Sequence, residues 1–310
     1  MSTISDIIKE LKQLTDYVES VRLVTYFDVA GSTMFLYDYL ITLGMEVDLV
    51  WSSKWTFMKM LYFAQRYLPF VDAVALCFLN QLSTTIDPTA CKMVEKARGV
   101  LMIAGISLSE LVLTLRVWAV WERSSRVGLV LSILFLLAVS SSFVVSGFFL
   151  SSLQFVDKPY PTFQGCFITS ASRVVYMNWV ILMAYEAAIL VMIVIPGISA
   201  YRLGGDTALH TIVYRDGVIV YIYLLALSTI NVIVSISLPR MYLDILWSVE
   251  RCLHSILTSR VLLDIRAYGR RAHTVWADGI TELHFDSEVI NTEPRFARRL
   301  GWARIRRGGA

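Results

Sequence analysis

Ionisable side chains stand inside long apolar runs of this chain. Glu110 lies within the run 98–121, Arg66 and Lys59 within 55–79, Arg116 near the end of 98–121, and Asp38 within 22–43. A charge at the centre of a bilayer costs roughly 2.5–3.5 kcal/mol on insertion scales, so each must face the protein interior and find a partner. Glu110 lies about 11 residues from the inner end of its run and Arg66 about 12, roughly 17 Å deep at the helical rise. Equal depth predicts that they pair. Asp38, Lys59 and Arg116 share a shallower level, which offers Asp38 a partner in either base. Lys59 and Arg66 are seven apart, on one helix face, and Pro69 predicts a kink just beyond them.

Polar residues also form stripes at helical spacing. Ser107, Glu110 and Thr114 share one face. Asn178, Tyr185 and Glu186 cluster on a second helix, Ser228, Asn231 and Ser235 on a third, and Glu250, His254 and Thr258 on a fourth. Faces that must avoid lipid can jointly line a polar cavity, which makes these residues candidates for a ligand pocket or a transport path. The competing reading is that they hydrogen-bond between helices and only hold a bundle together. Ala138, Ser142 and Ser146, at spacing four, fit helix packing better than function.

Several chemistries have no residues to carry them. The last lysine is Lys158, so a retinal Schiff base on a late helix has no amine. His210, His254, His273 and His284 form no HExxH and no close pair, and no Walker loop or GxSxG occurs. Cysteine and histidine spacing points to no metal site, and no cofactor is expected. No N-x-[ST] sequon is present. The sequence reads as no enzyme.

The elements that must position these residues are membrane helices. Seven segments approach or exceed the roughly 20 apolar residues that a crossing needs: 22–43, 55–79, 98–121, 127–153, 174–201, 217–238 and 244–263. The chain of 310 residues is 56% hydrophobic and 17% charged, with mean hydropathy +0.60, which excludes disordered, collagenous and disulfide-knotted classes. The runs are continuous rather than alternating, so the expectation is an all-α, polytopic, seven-helix transmembrane bundle over 22–263 and not a β-barrel. Residues 1–21 carry Ile4, Ile7, Ile8, Leu11, Leu14 and Val18 at helical spacing, an amphipathic segment before the first span. Residues 264–310 form a polar, partly disordered tail, acidic at Asp278–Glu293 and then basic from Arg295 to Arg307 with Phe296, Leu300 and Trp302 between the arginines. Such mixing suits an anionic leaflet, and nothing else supports nucleic acid as a partner.

Loop charge is tied, eight basic residues on each side, and the distal arginines favour an inner C-terminus. Cys91 precedes the third span and Cys166 the fifth, so they share a side in either orientation. A Cys91–Cys166 disulfide would place that side, and the N-terminus, outside. Cys77 and Cys252 fall within spans as plain apolar residues. Trp51, Trp55, Trp118 and Trp121 sit at span ends, as an interfacial belt does.

One stretch resembles a known family. Tyr37-Asp38-Tyr39-Leu40-Ile41-Thr42-Leu43, Glu46-Val47-Asp48-Leu49-Val50-Trp51, Lys54-Trp55 and Arg66-Tyr67-Leu68 look like the signature of fungal multi-span membrane proteins grouped as domain of unknown function 6533. The signature covers roughly Tyr26–Leu68. Similar proteins tend to carry features like Leu115-Arg116-Val117-Trp118-Ala119, Tyr214-Arg215-Asp216-Gly217 and Ser259-Arg260. The resemblance implies a membrane bundle, usually of seven helices, and brings no activity, ligand or catalytic residue. Within it, Asp38, Arg66 and Trp51 are expected to fix the hairpin of the first two helices, with Glu46 and Asp48 solvated in the loop.

Three functions compete. A receptor-like protein sensing an unknown ligand shares seven spans, an outer N-terminus and the cysteine layout with G-protein-coupled receptors, but helix seven lacks NPxxY and helix three ends in Leu115-Arg116-Val117-Trp118, not a DRY-like triplet. A small-molecule or ion transporter would use the buried charges, although no inverted repeat is visible. A structural or partner-binding protein would use them only to set helix register. The bilayer is the first partner, a cytoplasmic signalling partner would meet the inner loops and tail, and a plasma or secretory-pathway membrane is the expected location.

Overall fold

The computed structural model describes residues 4–76, 88–156, 166–170, 172–202, 208–239, 242 and 245–279. Seven α-helices make up most of them: α1 (Ile4–Glu46), α2 (Phe57–Pro69), α3 (Pro88–Val120), α4 (Ser125–Ser152), α5 (Tyr176–Arg202), α6 (Ala208–Ser237) and α7 (Trp247–Gly279). Two short strands, β1 (Gln154–Val156) and β2 (Phe167–Ser170), pair antiparallel between α4 and α5. The chain divides after Ile265 into two compact units, and the end of α7 is all that is described of the second. The acidic and basic stretches of the tail and Cys77 lie outside the described residues or have undescribed side chains.

Helix α1 runs unbroken through the expected boundary at residue 21, because no proline or glycine interrupts the chain before Gly31. The amphipathic segment and the first apolar run are therefore one helix. It ends in a wider π-helical turn, Val47–Trp51. Helix α2 starts at Thr56, whose side chain accepts a hydrogen bond from the Lys59 backbone N–H. The turn after Pro69 also widens, into π-helix over Phe70–Ala75, where the sequence predicts a kink.

Four stretches are long and apolar enough to cross a membrane: Thr89–Val120, Ser125–Ser152, Arg173–Gly197 and Gly217–Ser237. They correspond to the third to sixth expected spans. Buried residues make up 56% of the apolar window of α3 but 11% of that of α4, so α3 is enclosed by protein while α4 turns most of its side chains outward. Leu113, Val117, Leu131, Tyr185, Ile189, Ile193, Tyr221 and Leu224 form the core where α3, α4, α5 and α6 meet.

Helix α1 is polar inside and apolar outside. Ser20, Asp28, Ser32, Asp38, Thr42 and Glu46 are buried, while Leu23, Tyr26, Val29, Tyr37, Leu40 and Ile41 are exposed. Helices α2 and α7 likewise bury charge: Lys59 and Arg66 on α2, Glu250, Arg251 and His254 on α7, with Asp72 in the turn after Pro69. These inward charges keep α1, α2 and α7 below the apolarity of the other four helices.

The top of α3 is tied to the β hairpin by a disulfide between Cys91 and Cys166, the pair expected from loop topology. Cys252 is buried and unpaired, in an apolar cluster with Phe35, Ala73 and Ile256.

Candidate functional site

Helix α7 organises the polar interior, because successive faces of it meet different neighbours. Arg251, Ser255 and Ser259, at spacing four, face α2 and the turn after it. Arg251 Nε donates to Asp72 Oδ2 at 2.9 Å. Gln65 Nε2 donates to the Ser255 carbonyl at 2.9 Å, and Ser259 Oγ donates to Gln65 Oε1 at 3.3 Å. A different face carries Glu250 and His254, also four apart, toward α3, α5 and α6.

His254 is fully buried among three glutamates from three helices. Its Nδ1 lies 3.3 Å from Glu110 Oε1 on α3, and its Nε2 lies 3.3 Å from Glu186 Oε1 on α5. Glu250 Oε1 stands 3.7 Å from the same Nε2. Glu250 is held in place by Ser228 Oγ, which donates at 2.8 Å, and by the Asn231 amide, both on α6. Next to the cluster, Thr114 Oγ1 donates to the Glu110 carbonyl at 2.6 Å and accepts from the Tyr185 hydroxyl at 2.5 Å. Six polar positions predicted from four separate stripes, Glu110, Glu186, Ser228, Asn231, Glu250 and His254, thus form one cluster, with Thr114 and Tyr185 alongside. Ser235 and Thr258 are buried on their helices.

A small pocket adjoins this cluster. Its walls come mainly from α3, α4 and α5, and Trp247 of α7 also lines it. Ile103, Ile106, Phe135, Val139, Ile181 and Leu182 make it largely apolar, while Ser107, Glu110, Ser142, Asn178 and Tyr185 supply polar groups. Asn178 Nδ2 donates to Ser146 Oγ at 2.7 Å, so the packing stripe of α4 also holds a pocket residue. Glu110 is shared: it lines the pocket and touches His254. Apolar walls with a few convergent polar groups are the lining a small-ligand site has.

The charges of the first two helices pair differently from the sequence expectation. Arg66 meets Glu46 and Asp38 rather than Glu110. Its Nε donates to Glu46 Oε2 at 2.8 Å, its Nη2 donates to Thr42, and its Nη1 lies 3.5 Å from Asp38. Asp38 pairs with Arg260 of α7 at 2.5 Å, not with Lys59 or Arg116. Lys59 turns its ammonium to the carbonyls of Trp51 and Ser53, at 2.9 and 2.7 Å, where it caps the end of the preceding helical turn. Arg116 packs over Gly217 of α6, where a side chain would collide with the guanidinium. Depth alone misassigned these partners because it ignores which helices are neighbours.

Glu46 is buried, against the expectation of a solvated loop acid. The helix extends to it, and it accepts from Tyr67 at 2.8 Å and from Trp51 at 3.1 Å besides Arg66. Asp38, Thr42 and Glu46 recur every four residues, a spacing that marks them as one face. Four further buried charges were not singled out from sequence. Asp72 pairs with Arg251, and Arg98 lies 3.6 Å from Asp28. Each is an ionisable residue in an apolar run, so the signal that found Glu110 applied to them too.

Residues 26–71 match the model of a family of unknown function (DUF6533), in agreement with the resemblance of this stretch. The match covers the inward face of α1 from Asp28 onward and Arg66 on α2. No curated protein matches the chain.

Proposed function

We propose that this chain, which carries the DUF6533 signature, is a receptor-like seven-helix membrane protein that binds a small, largely apolar ligand between α3, α4 and α5. The observation that carries the reading is Glu110, which lines the pocket and also touches His254 on α7. A ligand that moves Glu110 therefore moves α7, the helix against which α1, α2 and α6 hold their polar groups.

Seven spans are supported by the inverted pattern of α1, whose charges point inward and whose apolar side chains point outward, as a lipid-facing helix requires. An outer N-terminus is supported by the Cys91–Cys166 bridge, which needs an oxidising compartment. Binding rather than catalysis fits a pocket with few polar groups.

The test is to purify the full chain from native membranes and identify co-purifying small molecules by native mass spectrometry. A molecule that is retained by the wild type and lost on Ser142→Trp, which fills the pocket, supports the reading. That ligand should also alter guanine-nucleotide exchange on a co-expressed G protein. Capture of the same molecules by S142W would refute it. Ion flux through proteoliposomes, abolished by Glu110→Gln, would assign the chain to transport instead.

A further inference from the structure

We propose that Glu110, Glu186 and His254 bind a divalent transition-metal ion of the zinc type within the bundle. One donor atom from each of the three lies within 4.8 Å of the other two, and all three side chains are buried. One imidazole nitrogen with carboxylate oxygens is a donor set that suits such an ion.

Charge balance gives the first argument. Around His254 stand three carboxylates, and the only cation they face within 4 Å among the described residues is the imidazole itself. Several negative charges in a water-poor interior repel each other strongly. A divalent ion held by Glu110, Glu186 and a neutral imidazole offsets two of the three negative charges, and Glu250 keeps its donors Ser228 and Asn231.

Glu186 gives the second argument. It is 2% exposed, its Oε1 meets only the His254 Nε2, at 3.3 Å, and its Oε2 accepts no hydrogen bond among the described residues. Buried carboxylates ordinarily have their lone pairs occupied. Glu110 Oε1 and both His254 nitrogens share this condition, although each faces an opposite partner at 3.3 Å. All of these atoms converge on the same small region.

The surroundings have the character of an outer shell. Metal-bound histidines generally give their second ring nitrogen to a carboxylate, which fixes the ring. With the ion on Nδ1, Glu250, 3.7 Å from Nε2 and not a ligand, is the carboxylate left to orient the ring. Glu250 is itself braced by Ser228 and Asn231. Because Glu110 also borders the pocket, the ion would have a coordination position open to a small molecule.

The site is tested on the full chain in detergent, stripped with chelator, reloaded with Zn²⁺ and desalted. Elemental analysis should then find about one ion per chain, and X-ray absorption should show imidazole and oxygen donors at about 2.0–2.1 Å. His254→Asn and Glu186→Gln should each lose stoichiometric binding. Asn231→Leu, which frees Glu250, should weaken the affinity by about 10–100-fold. Well under one ion in the reloaded wild type, an absorption spectrum without imidazole, or undiminished metal in folded H254N or E186Q would overturn the proposal. Should the variants fail to fold, the wild-type stoichiometry and spectrum still decide. Metal retention does not depend on an organic ligand in the pocket, so this proposal and the receptor reading can fail separately.

Discussion

Arg66→Gln tests whether the signature segment is held together by the Glu46–Arg66–Asp38 cluster. Arg66 is fully buried, as is Glu46, so solvent screening weakens neither the pair nor the penalty for breaking it. Removing one partner of a buried pair costs about 3–5 kcal/mol. Here the lower end applies, because both acids keep other donors. Glu46 retains Tyr67 at 2.8 Å and Trp51 at 3.1 Å, and Asp38 retains Arg260 at 2.5 Å. The expected loss is therefore about 3 kcal/mol. The assay is unfolding of the purified protein in mixed micelles by titrated SDS, followed by far-UV circular dichroism. A double-mutant cycle with Glu46→Gln should give a coupling of about 2 kcal/mol, within the range for contacting residues. The same cycle with Glu110→Gln should give a coupling near zero. Stability of R66Q within about 0.5 kcal/mol of wild type, or coupling to Glu110 in place of Glu46, would refute the pairing.

Two further outcomes follow from packing. Reduction, or Cys91→Ser, should lower stability by up to about 4.5 kcal/mol, the loop-closure value for the 75-residue separation, and non-reducing peptide mapping should find the two cysteines linked in the wild type. Gly105→Val should cost about 3 kcal/mol in the same unfolding assay, because its side chain would displace the Arg251 guanidinium from Asp72, whereas Gly147→Ala, which meets nothing within 4 Å, should stabilise by up to about 1 kcal/mol.

Helical spacing showed which polar residues share a face and left open whom they meet. Periodicity placed Ser107, Glu110 and Thr114 on one face of α3, and Glu250 and His254 on one face of α7, because helical geometry is local. Partner choice is not local. Arg66 and Glu110 lie at similar distances along their runs, yet Arg66 sits against α1, whose Glu46 falls past the apolar run that ends near Leu43. The run ended there because the inward face of α1 had turned polar, while the helix itself continued to Trp51 in a wider turn. The cluster around His254 leaves no motif in the sequence for a related reason. Its donors come from three helices, two of them are carboxylates, and no spacing along the chain records their convergence.

The matched segment and the candidate site are connected through α7. Gln65 and Arg66, consecutive on α2, divide the work: Gln65 is bonded to Ser255 and Ser259 of α7, and Arg66 to the acids of α1. Asp38 adds Arg260 of α7 to the same assembly. The segment 26–71 thus contacts α7 at Ser255, Ser259 and Arg260, while His254, one residue before Ser255, points to the opposite site. Rotating α7 by one residue, about 100° of helix turn, would take His254 away from Glu110 and Glu186 and break the bonds from Gln65 together. On this geometry the matched segment and the buried cluster share one constraint, the rotation of α7.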